Sequence, residues 1–167
     1  MNLITKSIPN FITALNILCG SFSILFAFEG NLLLASLFIG IASIFDFMDG
    51  MAARLLNAYS EIGKQLDSLA DLISFGLAPS VILYNMMKLS TNSEFGNDFS
   101  LLNTYLILIP FLIVVFSALR LAKFNVDTRQ TTSFIGLPTP ANAILIASFP
   151  VIIYYSEIAF VKDILRN

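Results

Sequence analysis

The sequence predicts an all-α protein whose helices form a polytopic transmembrane bundle. Among its 167 residues, 57% are hydrophobic and 12% are charged, and the mean hydropathy is +0.84. A soluble domain of this length does not require so much apolar surface, so lipid must cover much of the chain. Backbone that faces lipid must satisfy its own hydrogen bonds, which favours helices over irregular structure.

Five apolar segments are long enough to cross a bilayer core, which needs about 20 residues per helix. Pro9 lies near the expected first turn of the first span, where a missing N–H is tolerated. A tight turn at 29–31 follows, Ser60 is placed to cap the third span, and Pro79 should kink that span. We treat residues 1–167 as one domain, with spans at about 8–28, 32–56, 61–89, 101–124 and 137–160 and polar loops at 91–100 and 125–135.

Lys and Arg are distributed unequally between the two ends of the predicted spans. The richer end is expected to face the cytoplasm of a prokaryotic membrane, following the positive-inside rule. It holds Lys6, Arg54, Lys64, Arg120, Lys123 and Arg129, against Lys88, Lys162 and Arg166 at the other end. The chain has no block of basic residues that would indicate nucleic-acid binding. The absence of His excludes His-based metal or acid–base chemistry.

Four aspartates lie close together in this otherwise apolar chain, all at the expected cytoplasmic end. Asp46 and Asp49 share one face of the second span, because residues three apart lie together on a helix. Asp67 and Asp71 share one face of the third span in the same way. If these faces meet, the carboxylates repel one another unless cations lie between them. Hard divalent ions that prefer oxygen ligands, Mg²⁺ or Mn²⁺, are the expected occupants.

A purely structural explanation of these acids is an ion pair that joins two helices. Asp46 or Asp49 would then pair with Arg54 or Lys64, which leaves the other acids unexplained. Ionisable groups inside a membrane are costly and are usually functional. Three small residues beside the acids permit either close approach of a ligand to the backbone or close helix packing: Gly50, Ala53 and Gly63.

The spacing Asp-x2-Asp-Gly-x2-Ala-Arg-x8-Gly-x3-Asp-x3-Asp resembles the signature of the CDP-alcohol phosphatidyltransferase family. That family transfers a phosphatidyl group from a CDP-linked lipid to an alcohol and releases CMP. Segments at 9–20, 74–80, 120–125 and 134–141 resemble one branch, the CDP-diacylglycerol–serine O-phosphatidyltransferases. The resemblance implies at least six core spans, one more than the sequence shows, and a homodimer. The signature is filled at every position, by Asp46, Asp49, Gly50, Ala53, Arg54, Gly63, Asp67 and Asp71.

The resemblance also implies how the acids act. Asp46, Asp49 and Asp67 would hold two divalent ions, Mg²⁺ or Mn²⁺, and Asp71 would contact the second ion and serve as general base. Paired ions of this kind neutralise a diphosphate and assist its cleavage. A carboxylate is a weak base toward a serine hydroxyl, so positioning must supply much of the rate. We expect in-line attack of the L-serine hydroxyl on the lipid-side phosphorus of CDP-diacylglycerol, without a covalent enzyme intermediate.

The remaining expected contacts divide between the CDP-lipid and the acceptor. Arg54 suits the diphosphate, because a guanidinium pairs well with phosphate oxygens, and Ser60 adds a hydroxyl contact or only caps its helix. Arg120 and Lys123 are candidates for the serine carboxylate, or else are interfacial anchors. The other CDP-lipid contacts implied by the resemblance are Asn10, Thr13, Gly50, Ala53 and Gly63.

Two other functions remain open from the sequence. A member of the same family could use glycerol 3-phosphate or inositol phosphate as acceptor, which calls for more than one cation near the site. A non-enzymatic divalent-cation transporter is a second class, but its acids would be expected along a path through the bilayer. Here the acids are confined to one end of the spans.

Overall fold

The computed structural model describes residues 3–94, 105–126 and 136–156. Within these ranges the protein is all-α, as predicted, and no strand is present. In chain order the elements are α1 (Leu3–Phe28), α2 (Leu32–Leu55), α3 (Glu61–Asp71), a π-helical segment (Leu72–Leu77), α4 (Ala78–Glu94), a 3₁₀ turn (Ile109–Phe111), α5 (Leu112–Val126) and α6 (Thr139–Tyr155).

Four stretches of the described chain are long and apolar enough to cross a membrane, and α6 is a shorter apolar helix. These stretches are Ser7–Phe28, Leu32–Leu55, Glu61–Ser90 and Ile109–Val126. The chain is therefore a multi-pass membrane protein, and the five predicted spans correspond to these four stretches and α6. The predicted end of the fifth span, at about residue 160, lies outside the described residues, as do 95–100 and 127–135 of the two predicted loops.

Two predicted boundaries differ from the structure. Helix α1 begins at Leu3 instead of at residue 8, so Pro9 lies inside the helix and not in its first turn. Helix α4 continues to Glu94, into the predicted loop. The predicted start of the fourth span, at about residue 101, lies outside the described residues. Polarity locates where a chain leaves the lipid, but polar residues can continue a helix beyond that point.

The connections between the first three helices follow the expected turn and cap chemistry. Gly30 has a φ of +81°, the left-handed conformation that glycine adopts readily. The side chain of Asn31 then accepts a hydrogen bond of 3.2 Å from the N–H of Leu34. The predicted cap at Ser60 is confirmed, because its hydroxyl accepts a hydrogen bond of 3.0 Å from the N–H of Gly63.

The third span continues as a helix past Pro79, and its irregularity is the π-helical segment that comes before this residue. The N–H of Ala78 donates to the carbonyl of Ile73, five residues earlier. Pro79 has no N–H to donate to the next carbonyl, so a regular α-helical ladder cannot be kept there. Single π-helical turns inside α-helices occur frequently at functional sites, and this one directly follows Asp71.

The π-helical segment lies at the centre of the bundle. Ser74, Phe75 and Gly76 are buried, and the segment packs against α1, α5 and α6. Helix α1 also packs along α2 and α3, while α6 packs along α2. The ends of α2 and α3 that hold the four aspartates are therefore adjacent to α1 and to helices that pack on the π-helical segment.

Candidate active site

Three of the four aspartates meet at one point between α2 and α3. One carboxylate oxygen from each of Asp46, Asp49 and Asp67 lies within 4.8 Å of the others. Asp49 is buried, and the other two are half-buried. Like charges this close repel strongly in a medium of low polarity. The arrangement is therefore suited to hold a metal ion.

Asp71 lies beside this group, although it is not one of the three clustered acids. One oxygen of its carboxylate lies close to the carboxylate of Asp46. Its other oxygen, Oδ1, is buried and has no hydrogen-bond partner among the described residues. The structure thus brings together all four aspartates that the sequence singled out, and it leaves one oxygen of Asp71 available to a ligand.

Thr13 on α1 fixes the position of one acid. Its hydroxyl donates a hydrogen bond of 2.6 Å to Oδ2 of Asp49 and lies 3.0 Å from the carbonyl oxygen of Pro9. Both Thr13 and Asp49 are buried. In this structure Thr13 orients a carboxylate, and its expected contact with the nucleotide stays a prediction.

The predicted nucleotide contacts Asn10, Ser60 and Gly63 are brought together where α1 meets the start of α3. A Cβ at Gly63 would lie 2.9 Å from Oγ of Ser60 and 3.0 Å from Oδ1 of Asn10. Gly50 on α2 differs, because a Cβ built there would meet no atom within 4 Å. Gly63 is required for close packing, whereas Gly50 borders open space that a ligand can enter.

Arg54 and Lys64 were the possible partners of the acids in the structural explanation, and both have other surroundings in the structure. The ammonium of Lys64 donates a hydrogen bond of 3.0 Å to the carbonyl oxygen of Asn125 on α5. Arg54 is exposed in the last turn of α2, near the half-buried Ala53. Arg54 is thus accessible to an anionic ligand such as a diphosphate.

The two candidate cations on α5 occupy different surroundings. Arg120 is half-buried and lines a cavity of ≈ 230 Å³ between the end of α5 and the start of α6, whereas Lys123 is exposed and does not line it. The cavity is lined by Ile113, Phe116, Ser117, Arg120, Leu137, Thr139 and Asn142. A cation at the wall of a cavity can bind the anionic group of a small ligand.

Two contacts between α5 and the third span place Arg120 at nearly the same height as Asp71, where height is the position along the helix axes. Nδ2 of Asn125 donates a hydrogen bond of 2.8 Å to Oγ of Ser68. Farther along, Cβ of Ser117 lies 3.4 Å from the position of a Cβ on Gly76. The helices therefore run antiparallel. At 1.5 Å per residue, interpolation places Arg120 within roughly 3 Å of Asp71 along the helix axes.

Sequence reasoning missed a polar contact between α1 and the π-helical segment. The hydroxyl of Ser74 donates a hydrogen bond of 3.1 Å to the carbonyl oxygen of Asn16. The Asn16 side chain is 0% exposed, and neither its Oδ1 nor its Nδ2 has a partner among the described residues. Asn16 follows Thr13 by one helical turn, and this spacing was the signal that could have included it in the site.

These residues satisfy the chemistry of a divalent-metal site. Carboxylate oxygens are the ligands that Mg²⁺ and Mn²⁺ prefer. The clustered oxygens of Asp46, Asp49 and Asp67, with the unpartnered buried oxygen of Asp71 beside them, supply such ligands. The group could hold a metal, and its arrangement does not by itself select the element.

A polytopic helical bundle with four acids where its second span ends and its third begins defines a class of membrane protein with a candidate metal site. Residues 6–165 match the family model described as CDP-alcohol phosphatidyltransferase. The chain therefore belongs to the CDP-alcohol phosphatidyltransferase family, as its acidic motif suggested.

Several curated proteins are similar to the chain over most of its length. It is 41% identical to the CDP-diacylglycerol--serine O-phosphatidyltransferase of Bacillus subtilis over 80% of the chain and 69% of that protein. It is 37% identical to the archaetidylserine synthase of Methanothermobacter thermautotrophicus over 92% of the chain and 61% of that protein. It is 39% identical to the CDP-diacylglycerol--serine O-phosphatidyltransferase of Helicobacter pylori over 83% of the chain and 54% of that protein. The chain thus spans little more than half the length of two of these relatives.

Proposed function

We propose that this protein transfers the phosphatidyl group of CDP-diacylglycerol to L-serine, giving phosphatidylserine and CMP. The observation that best supports the proposal is the convergence of Asp46, Asp49 and Asp67, with Asp71 against Asp46, in a member of this family. The names of the similar proteins support the acceptor. All three contain serine, although one of them names a different lipid.

The four aspartates would hold two divalent cations, Mg²⁺ or Mn²⁺, in this proposal. Asp46, Asp49 and Asp67 would be the main ligands, and Asp71 would add an oxygen to the second cation. Bound there, the cations supply charge neutralisation at the diphosphate and at the departing oxygen. Thr13 holds the Asp49 carboxylate in place through its 2.6 Å hydrogen bond, so this ligand is oriented in advance.

Asp71 acts as the general base in the proposed reaction. The serine hydroxyl oxygen forms a bond to the phosphatidyl phosphorus, and its proton passes to the Asp71 carboxylate. The bond between that phosphorus and the bridging diphosphate oxygen breaks, and CMP leaves with the electron pair. Oδ1 of Asp71 is buried and has no partner among the described residues, which leaves it able to accept this proton.

Different helices provide the residues that bind the nucleotide and the acceptor. Gly50, with open space at its Cβ position, and Gly63, beside Asn10 and Ser60, border the cytidine slot together with Ala53. The exposed Arg54 binds the diphosphate. Arg120, near Asp71 in height, binds the serine carboxylate from the α5 side, and Lys123 is a second candidate for that contact.

The location and assembly of the enzyme complete the proposal. The acids lie near the cytoplasmic face of a prokaryotic membrane, where soluble L-serine and CMP are exchanged. The bias of Lys and Arg toward that end of the spans supports this orientation. We also propose, on family resemblance, that the protein is a homodimer. In each subunit, residues 1–167 would form one catalytic domain.

A direct test uses the purified protein with CDP-diacylglycerol and offers L-serine, glycerol 3-phosphate and inositol phosphate separately. CMP release should depend on L-serine, and phosphatidylserine should form in equal amount. Release with a phosphate-bearing acceptor but not with serine would replace the proposal by its alternative within the family. Bound cation with no CMP release from any acceptor would instead favour a non-enzymatic role.

A further inference from the structure

We infer that the first turn of α6 forms the acceptor pocket together with Arg120, and that Thr139 and Asn142 bind the acceptor's single anionic group. This inference rests on the proposed function and assigns the serine carboxylate to the α5–α6 cavity. The cavity of ≈ 230 Å³ has Arg120 on one wall and Thr139 and Asn142 on the other.

The polar groups around the cavity suit an anion. The Arg120 guanidinium, the Thr139 hydroxyl and the Asn142 amide can all donate hydrogen bonds. The wall of α6 is also the start of a 17-residue helix, whose first N–H groups face away from the helix and favour negative charge. The cap residue of this helix is Pro138, which provides no side-chain hydrogen bond to those N–H groups.

The charge of the pocket favours a monoanion. Arg120 is the one charged side chain among the described residues that line it. A carboxylate is neutralised by one guanidinium, whereas a phosphate monoester has up to two negative charges and would keep an excess. The serine ammonium and hydroxyl then extend away from Arg120 toward the four carboxylates, which attract the ammonium and include the base Asp71.

The position of the cavity is consistent with this arrangement. Helix α6 packs against α2, which bears Asp46 and Asp49, and against the π-helical segment that follows Asp71. Interpolation between the contacts at Ser68 and Gly76 places Arg120 near the height of Asp71. An acceptor held by its carboxylate in the cavity thus has its other end directed to the acids.

The test places a carboxylate in the pocket with Asn142→Asp, a change of nearly equal volume. Two serine analogues serve as competitors: 3-hydroxypropionate has the carboxylate and lacks the ammonium, and ethanolamine has the ammonium and lacks the carboxylate. Asn142→Asp should raise the serine KM and the 3-hydroxypropionate Ki by about tenfold or more, a loss of roughly 1.4 kcal/mol. The ethanolamine Ki and the CDP-diacylglycerol KM should stay within about twofold of the wild-type values, because neither ligand has a carboxylate to lose contact with the pocket.

Ala141→Asp is the matched control, because it adds the same charge one residue away at an exposed position outside the cavity lining. It should leave all four constants nearly unchanged. Thr139→Val, which removes only the hydroxyl, gives an independent test and should raise the same two constants as Asn142→Asp, by a smaller factor.

Equal effects of Asn142→Asp and Ala141→Asp, or equal changes for both analogues, would overturn the assignment of the pocket. Unchanged constants in Thr139→Val and Asn142→Asp would do the same, while leaving serine transfer itself intact. If the wild-type protein does not use serine at all, the proposed function fails first, so the two failures are distinguishable. Stronger effects with glycerol 3-phosphate than with serine would assign the pocket to a phosphate and overturn the choice of carboxylate.

Discussion

The acidic cluster and the α5–α6 cavity differ in charge and in the way each is held. The cluster places Asp46, Asp49 and Asp67 within 4.8 Å of one another and is fixed by the Thr13–Asp49 hydrogen bond. Among the described residues that line the cavity, Arg120 is the one cation and the others are neutral. In the proposed function, the first region binds cations and, through them, a diphosphate, whereas the second binds a single anionic group.

This difference indicates how one small bundle can hold two substrates that both have negative charge. If both bound at the cluster, their anionic groups would compete for the same cations. In the proposed function, two separate regions would allow the diphosphate and the acceptor carboxylate to be neutralised by different groups. The predictions below therefore alter one region and compare the effect on the substrate assigned to the other.

Removal of divalent cations from the acidic cluster should have the largest effect on activity. Chelation of the purified protein should stop CMP release, because the four carboxylates would then repel the diphosphate. Addition of Mg²⁺ or Mn²⁺ in excess should restore the rate. Undiminished turnover after exhaustive chelation, with metal content checked by elemental analysis, would contradict the metal model.

Replacement of the proposed base should be nearly as severe. Asp71→Asn should lower kcat by about 10²–10⁴-fold, the usual contribution of a general base, and leave CDP-diacylglycerol binding largely intact. Binding can be followed by thermal protection and turnover by CMP release. Glu61→Gln, at an exposed position in the first turn of the same helix, is the control and should remain active. Normal turnover in Asp71→Asn would remove this residue from the base role.

The cavity should respond differently from the cluster. Arg120→Ala should raise the serine KM by roughly 10- to 150-fold, as expected for a lost hydrogen bond to a charged group of about 1.5–3 kcal/mol. The CDP-diacylglycerol KM should change little. Lys123→Ala, outside the cavity lining, should have the smaller effect, and Arg120→Lys should retain part of the affinity. Equal changes in both KM values for Arg120→Ala would contradict a separate serine site.

The smallest expected effects distinguish packing from ligand contact among the glycines. A Cβ at Gly20 would lie 2.9 Å from the Cα of Ser74, so Gly20→Ala should lower stability by about 1–3 kcal/mol, read as a lower Tm in detergent. Gly40→Ala is the control, since nothing lies within 4 Å of its Cβ position. Gly50→Ala should keep the wild-type Tm and raise the CDP-diacylglycerol KM by up to about tenfold. A lower Tm in Gly50→Ala would place this glycine in packing instead.

Local patterns predicted most of the helical architecture. The turn at Gly30 and the cap at Ser60 were both predicted and are both confirmed, because each depends on residues within one turn of the chain. The start of α1 was misplaced, since a helix can pass through Pro9 when one backbone hydrogen bond is given up. The disturbance expected at Pro79 occurs in the turn before it, as a π-helical segment.

The candidate site was predicted as a set of residues but not as a geometry. Helical spacing indicated which acids share a face, yet it could not distinguish the three clustered acids from Asp71. Arg120 and Lys123 were equivalent in the sequence, and only the cavity separates them. The contact between Asn16 and Ser74 was not predicted, because the two residues lie far apart along the chain.

The sequence by itself determined that this protein is a helical membrane protein of a known family with four acids at one end of its spans. The helices and the position of the acids follow from composition and short-range periodicity, which act within a single helix, whereas the family follows from the resemblance of the acidic motif. Tertiary structure alone decided that Thr13 holds Asp49, that Asp71 contacts Asp46, and that Arg120 faces α6 across a cavity. Such contacts depend on how helices cross and on a widened turn beside Pro79, and no local pattern specifies either.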